Sequence, residues 1–248
     1  MSYNSRTIGA VTVGITLLVF LFALTSPIPQ DPAYHVFADS RQLLSIANFW
    51  NVISNLPFLL AGAWGLSITV RLDQRYRETR AIYGVFFVGV ALTAFGSAYY
   101  HLYPANLPLV WDRLPMTIAI AGIFAIAINE YHSPALARRL LVPLLVIGIA
   151  SVIYWHITEI RNIGDLRPYA IVQFLPILAV LAMLVRRGFK SDMTPSLWYM
   201  VGFYVAAKVF EHFDAEIYSA LAISGHTLKH VFAALGPAAV AAALRRRL

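Results

Sequence analysis

Blocks of roughly 18–23 mostly apolar residues recur along this chain, and no other feature limits its folding so strongly. A helix of that length crosses the ~30 Å hydrocarbon layer of a bilayer. Lipid offers no partner for a bare N–H or C=O, so a segment that crosses it must satisfy its own backbone, as a helix does. Hydrophobic types make up 59% of the chain and charged types 12%, against about 45–50% and about 25% in a soluble domain. Disorder, a fibrous repeat and an ordinary soluble globule are thereby excluded. Eight spans can be read, at about 7–25, 48–70, 81–101, 113–130, 138–155, 168–185, 197–213 and 224–244. The expected fold is all-α, a polytopic membrane helix bundle. The first span competes with a signal peptide; one Arg before it and no clean cleavage site favour a retained helix.

The net charge of +7 looks like a nucleic-acid signal until the basic residues are located. With eight spans and both ends inside, thirteen Lys and Arg fall in inside segments, among them Arg71, Arg75, Arg138, Arg186 and Arg245. Four fall outside: Arg41, Arg113, Arg161 and Arg167. Cytoplasmic loops are enriched in Lys and Arg, so the basic excess reports topology, with both termini cytoplasmic, and not a nucleic-acid partner. Cysteine is absent, which removes disulfides, iron–sulfur clusters and thiol catalysis. Any metal must be held by His, Asp, Glu or backbone oxygen.

Ionisable residues within spans are expensive and mark candidate sites. Three groups stand out. Ser97 and His101 are four apart, hence on one helix face. Asp112 opens the fourth span, where the plainer account is a helix N-cap and Pro115 suits the first turn. His226 and His230 share a face at the start of the last span, a spacing that presents two imidazoles to one metal; two interfacial histidines are the plainer account. The alternation of span direction brings all three groups to one level, near the outer leaflet. Three neutral imidazoles with one open position make the arrangement of catalytic zinc, and a nearby carboxylate serves proton transfer.

Other polar residues read less sharply. Asn48, Asn51 and Asn55 form a stripe on the second span that either backs the site or joins helices. His35 falls in the outer loop before the second span, His156 and His212 read as interfacial, and His132 falls on the opposite side. The loop 156–167, with Glu159, Arg161, Asp165 and Arg167, reads as a solvated turn. Glu211, Asp214 and Glu216 read as solvated or as a cation site, and Lys208 has no evident partner.

These residues resemble a known family. Asn48-Phe49-Trp50-Asn51-Val52-Ile53-Ser54-Asn55-Leu56 resembles the first core helix of alkaline ceramidases. Gly96-Ser97-x-x-Tyr100-His101, Asp112-x-Leu114-Pro115-Met116 and His226-x-x-x-His230 resemble the remaining motifs, in order. The resemblance covers about residues 39–240 and places the chain near a bacterial-type member of the wider CREST group of membrane hydrolases. It implies a seven-helix core over 31–248 behind an added transmembrane helix in 1–30. It implies zinc on His101, His226 and His230, with Ser97 and Asp112 as catalytic partners, and hydrolysis of a ceramide-like amide into fatty acid and amine. Asn51 and Asn55 would support the ligands. Eukaryotic members also bind calcium; here Asp39 matches one ligand and Asn48 stands where a Glu is expected. Arg113 stands where an acidic residue is usual and Lys229 where Trp is common, which makes both headgroup candidates for an anionic lipid. The expected partners are a lipid amide and the membrane, with no obligate protein partner. The competing reading is a receptor-like seven-helix protein that binds a lipid or haem. A proton-coupled transporter would call for mid-membrane carboxylates in several spans.

Overall fold

A computed structural model describes residues 24–188 and 190–248. The expected first span, 7–25, lies almost wholly outside the described residues.

The described helices are α1 (Phe49–Ile53), α2 (Leu56–Thr69), α3 (Arg80–Leu102), α4 (Asn106–Tyr131), α5 (Pro134–Ile160), α6 (Arg167–Arg187), α7 (Thr194–His212), α8 (Asp214–Leu221) and α9 (Gly225–Leu244). No strand occurs among the described residues. Among the described residues, six helices are long and apolar enough to cross a membrane: α1 with α2 as one span, then α3, α4, α5, α6 and α9. The chain is an all-α, multi-pass membrane bundle. α7 packs along α9 but is less apolar, because it carries Lys208 and Glu211.

The span ends depart from the expected ones for local reasons. The span at 48–70 is interrupted at Ser54-Asn55. Pro57 sits in the first turn of α2; it has no N–H to donate backwards and disfavours helix in the residue before it. α5 starts where the Ser133 hydroxyl accepts from Leu136 N–H, with Pro134 next. α6 stops at Gly188, whose φ of +60° suits glycine. α9 starts where Ser224 accepts from Thr227 N–H, an N-cap that satisfies one free donor.

α2, α3, α4, α6, α7 and α9 pack in succession around a ring that closes between α9 and α2. α5 lies outside it, against α4 and α6, and turns large apolar side chains such as Val142, Ile147 and Ile153 outward. The core divides along the ring axis. The larger part, with Tyr83, Phe86, Phe87, Ile126 and Leu244, fills the middle and the end where α3 begins. The smaller part, with Phe37, Tyr100, Leu109, Trp155 and Tyr169, lies where α3 ends. The segment before α1 crosses that second end: Leu166 N–H donates to the Ile28 carbonyl at 2.8 Å, and Ala38 N–H to Asp214 Oδ2 at 3.1 Å.

Candidate metal centre

The histidines that the helix directions bring to one level meet inside the ring. His101 Nε2 lies 3.2 Å from His230 Nε2 and 3.3 Å from His226 Nε2. All three side chains are buried. An imidazole carries at most one proton on Nε2, so that atom cannot satisfy two others at once by hydrogen bonding. Nitrogens bound to zinc at 2.0–2.1 Å in a tetrahedron stand about 3.3–3.4 Å apart. The donor set and spacing therefore fit one metal ion, and the group can hold one.

The rings are oriented by their surroundings. Ser54 Oγ donates to the Asn51 carbonyl at 3.2 Å and lies 2.8 Å from His230 Nδ1. With its hydrogen committed, that oxygen accepts the Nδ1 proton, which leaves Nε2 with a free lone pair. Phe37 stands edge-on to His101, with ring centroids 4.8 Å apart, and tilts against His226 at 5.0 Å. Asp214 Oδ1 accepts from His226 N–H at 2.8 Å and fixes the start of α9. A Cβ on Gly225 would fall 2.1 Å from the Phe210 carbonyl oxygen, so only glycine lets α9 approach the end of α7 this closely.

Asp112 and Ser97 face the same space. A Cβ on Gly96 would fall 1.9 Å from the Trp111 carbonyl oxygen; its absence lets α3 and α4 touch and sets the Ser97 hydroxyl against the Asp112 carboxyl. Asp112 is not a helix N-cap, as its place in the hydropathy pattern suggests. α4 begins at Asn106, so Asp112 sits in its second turn and Pro115 lies inside the helix. Both Ser97 and Asp112 line a cavity of about 300 Å³ that reaches His230 and Lys229 at one end and Phe86, Ile123 and Pro237 at the other.

The asparagine stripe divides its work. Asn51 donates to the Asp39 carbonyl at 3.1 Å, and its Oδ1 accepts from Thr227 Oγ1 at 3.0 Å and from Ser224 Oγ at 3.2 Å, tying the start of α9 to the loop. Asn55 donates to the Asn51 carbonyl at 2.8 Å. Asn48 donates to the His101 carbonyl at 2.8 Å. Both Asp39 oxygens are taken by Arg41, from Nε at 2.8 Å and Nη2 at 2.6 Å, so Asp39 and Asn48 each hold a backbone segment. This pairing holds the Asp39 carboxyl below the usual range, first by the Arg41 hydrogen bond.

Several polar groups are less solvated than their sequence context suggests. Glu211 is half-buried between Lys208 Nζ and Lys229 Nζ, each at 2.6 Å. This pairing accounts for Lys208 and carries Lys229 to 3.4 Å from His226 Nε2. Asp165 is buried and paired with Arg167, and Glu159 accepts from Gln30 N–H at 2.7 Å, so the loop 156–167 is solvated only around 160–163. His35 contacts the Tyr100 hydroxyl at 3.0 Å and Asn106 Oδ1 at 2.9 Å. Arg113 is buried against Trp155 and Tyr169. Sequence reasoning missed Ser54 and the Glu211 cluster. Ser54 adjoins the asparagine stripe, and Lys208 with Glu211 has the i, i+3 spacing of a helical ion pair.

The model of one protein family, described as Ceramidase, matches residues 41–213. The match takes in Ser97, His101 and Asp112 and stops before His226 and His230, which the fold alone brings to them. No curated protein matches the chain.

Proposed function

The chain belongs to the ceramidase family, and from that premise we propose a zinc-dependent membrane hydrolase that cleaves a ceramide-like amide into fatty acid and amine. Family membership makes it a ceramidase-type hydrolase acting on a lipid amide. The zinc and the residue roles rest on one observation: three imidazole nitrogens converge where Ser97 and Asp112 face an apolar cavity.

His101, His226 and His230 would hold the ion. Zinc bound there supplies Lewis acidity, which polarises a carbonyl and makes water nucleophilic near neutral pH. An Asp112 carboxylate oxygen takes the proton of the attacking water and returns it to the leaving nitrogen as the C–N bond breaks and the C–O bond forms. Ser97 acts as a positioning residue, holding that carboxylate towards the reacting atoms. Phe86, Ile123 and Pro237 take the acyl chain; Ile123 stands about 16 Å further along α4 than Asp112 at 1.5 Å per residue. Lys229, drawn towards Glu211, keeps a positive charge beside the ligands. The excess of Lys and Arg towards the other end supports a histidine end at the outer leaflet. Imidazole nitrogens in mutual contact leave no room for a porphyrin between them, which weighs against haem.

Metal analysis of the purified protein, with hydrolysis of a ceramide measured before and after chelation, tests this reading. The expected result is about one zinc per chain and fatty-acid release that stops on chelation and returns with zinc. Full turnover in metal-free protein sinks it.

A further inference from the structure

Three cations and two carboxylates line the cavity: Lys208, Lys229 and Arg113, with Asp112 and Glu211. Glu211 takes both lysines at 2.6 Å, so Lys229 is not a free headgroup contact. Arg113 is held differently. Its residue is 5% exposed, and Nη2 donates to a neutral acceptor, Gln30 Oε1, at 2.7 Å. Its guanidinium carbon lies 4.1 Å from the Trp155 ring centroid, 4.6 Å from that of Tyr169 and 5.8 Å from that of Tyr34. Nη1 is buried and finds no hydrogen-bond partner among the described residues.

A guanidinium stays charged at any working pH, and leaving its N–H groups unmet in the interior costs free energy. Aromatic rings cover its faces, and Nη1 on its edge keeps N–H groups without a hydrogen-bond partner among the described residues. That edge is the part that binds a planar anion. The cavity already carries one more cation than carboxylate, and a divalent metal adds to the excess, so an anionic guest is favoured. Arg113 packs among Tyr34, Trp155 and Tyr169 at the end of the bundle where α3 finishes, and the apolar part of the cavity runs the other way, towards Phe86, Ile123 and Pro237. The anion therefore lies on the amine side of the scissile bond. A phosphate would call on further donors, and the lysines that could supply them are committed to Glu211.

We propose that the preferred substrates are fatty amides whose amine half bears a carboxylate next to the nitrogen, that is N-acyl amino acids, anchored by Arg113. This rests on the hydrolase reading above. Water adds to the carbonyl, the C–N bond breaks, and a fatty acid and a free amino acid leave.

The test uses the full metal-loaded chain in detergent and three oleoyl amides: N-oleoylglycine, neutral N-oleoylethanolamine and the phosphate ester of the latter. The expected kcat/KM is at least tenfold higher for the glycine amide than for the neutral one. In Arg113→Gln that ratio should fall towards one, mainly through KM. A ratio compares two substrates on the same folded molecules, so partial misfolding does not alter it; if the variant fails to fold, the wild-type preference alone decides. Equal rates on the acidic and neutral amides overturn this inference and leave the hydrolase standing. Faster turnover of the phosphate overturns the carboxylate assignment. Hydrolysis of none of the three, nor of ceramide, overturns the hydrolase reading and this inference with it.

Discussion

Two buried arginines mark opposite ends of the bundle, and their surroundings differ. Arg247 stands where α3 begins and α4 ends. Its Nε donates to Asp192 Oδ2 at 3.0 Å, its Nη1 to Tyr83 at 2.8 Å and Glu130 Oε1 at 2.9 Å, and its Nη2 to Glu130 Oε2 at 2.8 Å and to Asp192 Oδ1. One cation there meets two carboxylates, and Ser191 and Tyr83 also donate to Glu130. Arg113, at the histidine end, has one neutral acceptor, three aromatic neighbours and a nitrogen with no partner among the described residues. His101 Nδ1, at the same end, is also buried without a partner among the described residues. An arginine paired on every nitrogen fastens chain segments and has nothing left to offer a ligand, although Arg80 Nε and Asn129 Oδ1 at that end are buried without a partner among the described residues. An under-saturated one beside a cavity keeps its bonding capacity for a guest. The first end locks the bundle, and the second leaves room for chemistry.

Substitutions at the two ends should separate along this line. The largest effect is expected from His101→Ala or His226→Ala: bound metal falls from about one per chain to background and amide hydrolysis disappears, while helix content is kept. Retained metal in either variant would break the assignment of the histidine end. Asp112→Asn should keep the metal and lower kcat by about 10²–10⁴-fold, the usual span for a general acid–base group; elemental analysis paired with kinetics separates it from the histidine variants.

Arg247→Met tests the other end. It leaves Glu130 buried beside no cation, a change that costs about 3–5 kcal/mol. Unfolding in detergent should shift accordingly, whereas turnover per folded molecule and metal content should not. Activity lost in proportion to nothing but Arg247 would mean that the two ends are coupled. Ser54→Ala should weaken metal binding by about 10–100-fold, as removal of an orienting partner does, and a chelator competition would read it.

The smallest effect concerns the loop that crosses the histidine end. The folded Asp39 carboxyl titrates below the unfolded value of ~3.9, held down by Arg41. Its contribution to stability is thus present above about pH 4 and is lost as pH falls through the lower, folded pKa. Asp39→Asn should lower the unfolding midpoint at pH 6 and approach the wild type as the medium is acidified towards pH 2. A difference that grows on acidification would contradict the pairing.

Among the described residues, the sequence alone determined six of the helical spans and which residues share an end of the bundle. Hydrocarbon thickness sets a minimum length of apolar helix, and successive spans must reverse direction. His101, Asp112, His226 and His230 could therefore be assigned to one level before any coordinate was known. Helix ends were less legible, because hydropathy marks where lipid begins and not where hydrogen bonding stops; α4 starts six residues before Asp112 for that reason. Whether residues at one level point at each other depends on the rotation and approach of each helix. Gly96 and Gly225 set that approach by what they lack, and their effect is invisible until the neighbouring carbonyl is in place. The same holds for the sharing of Glu211 between Lys208 and Lys229 and for the ring cage on Arg113. Charge sign can be read from a side chain. The number of its bonds left open is decided by partners that the tertiary structure brings from distant parts of the chain.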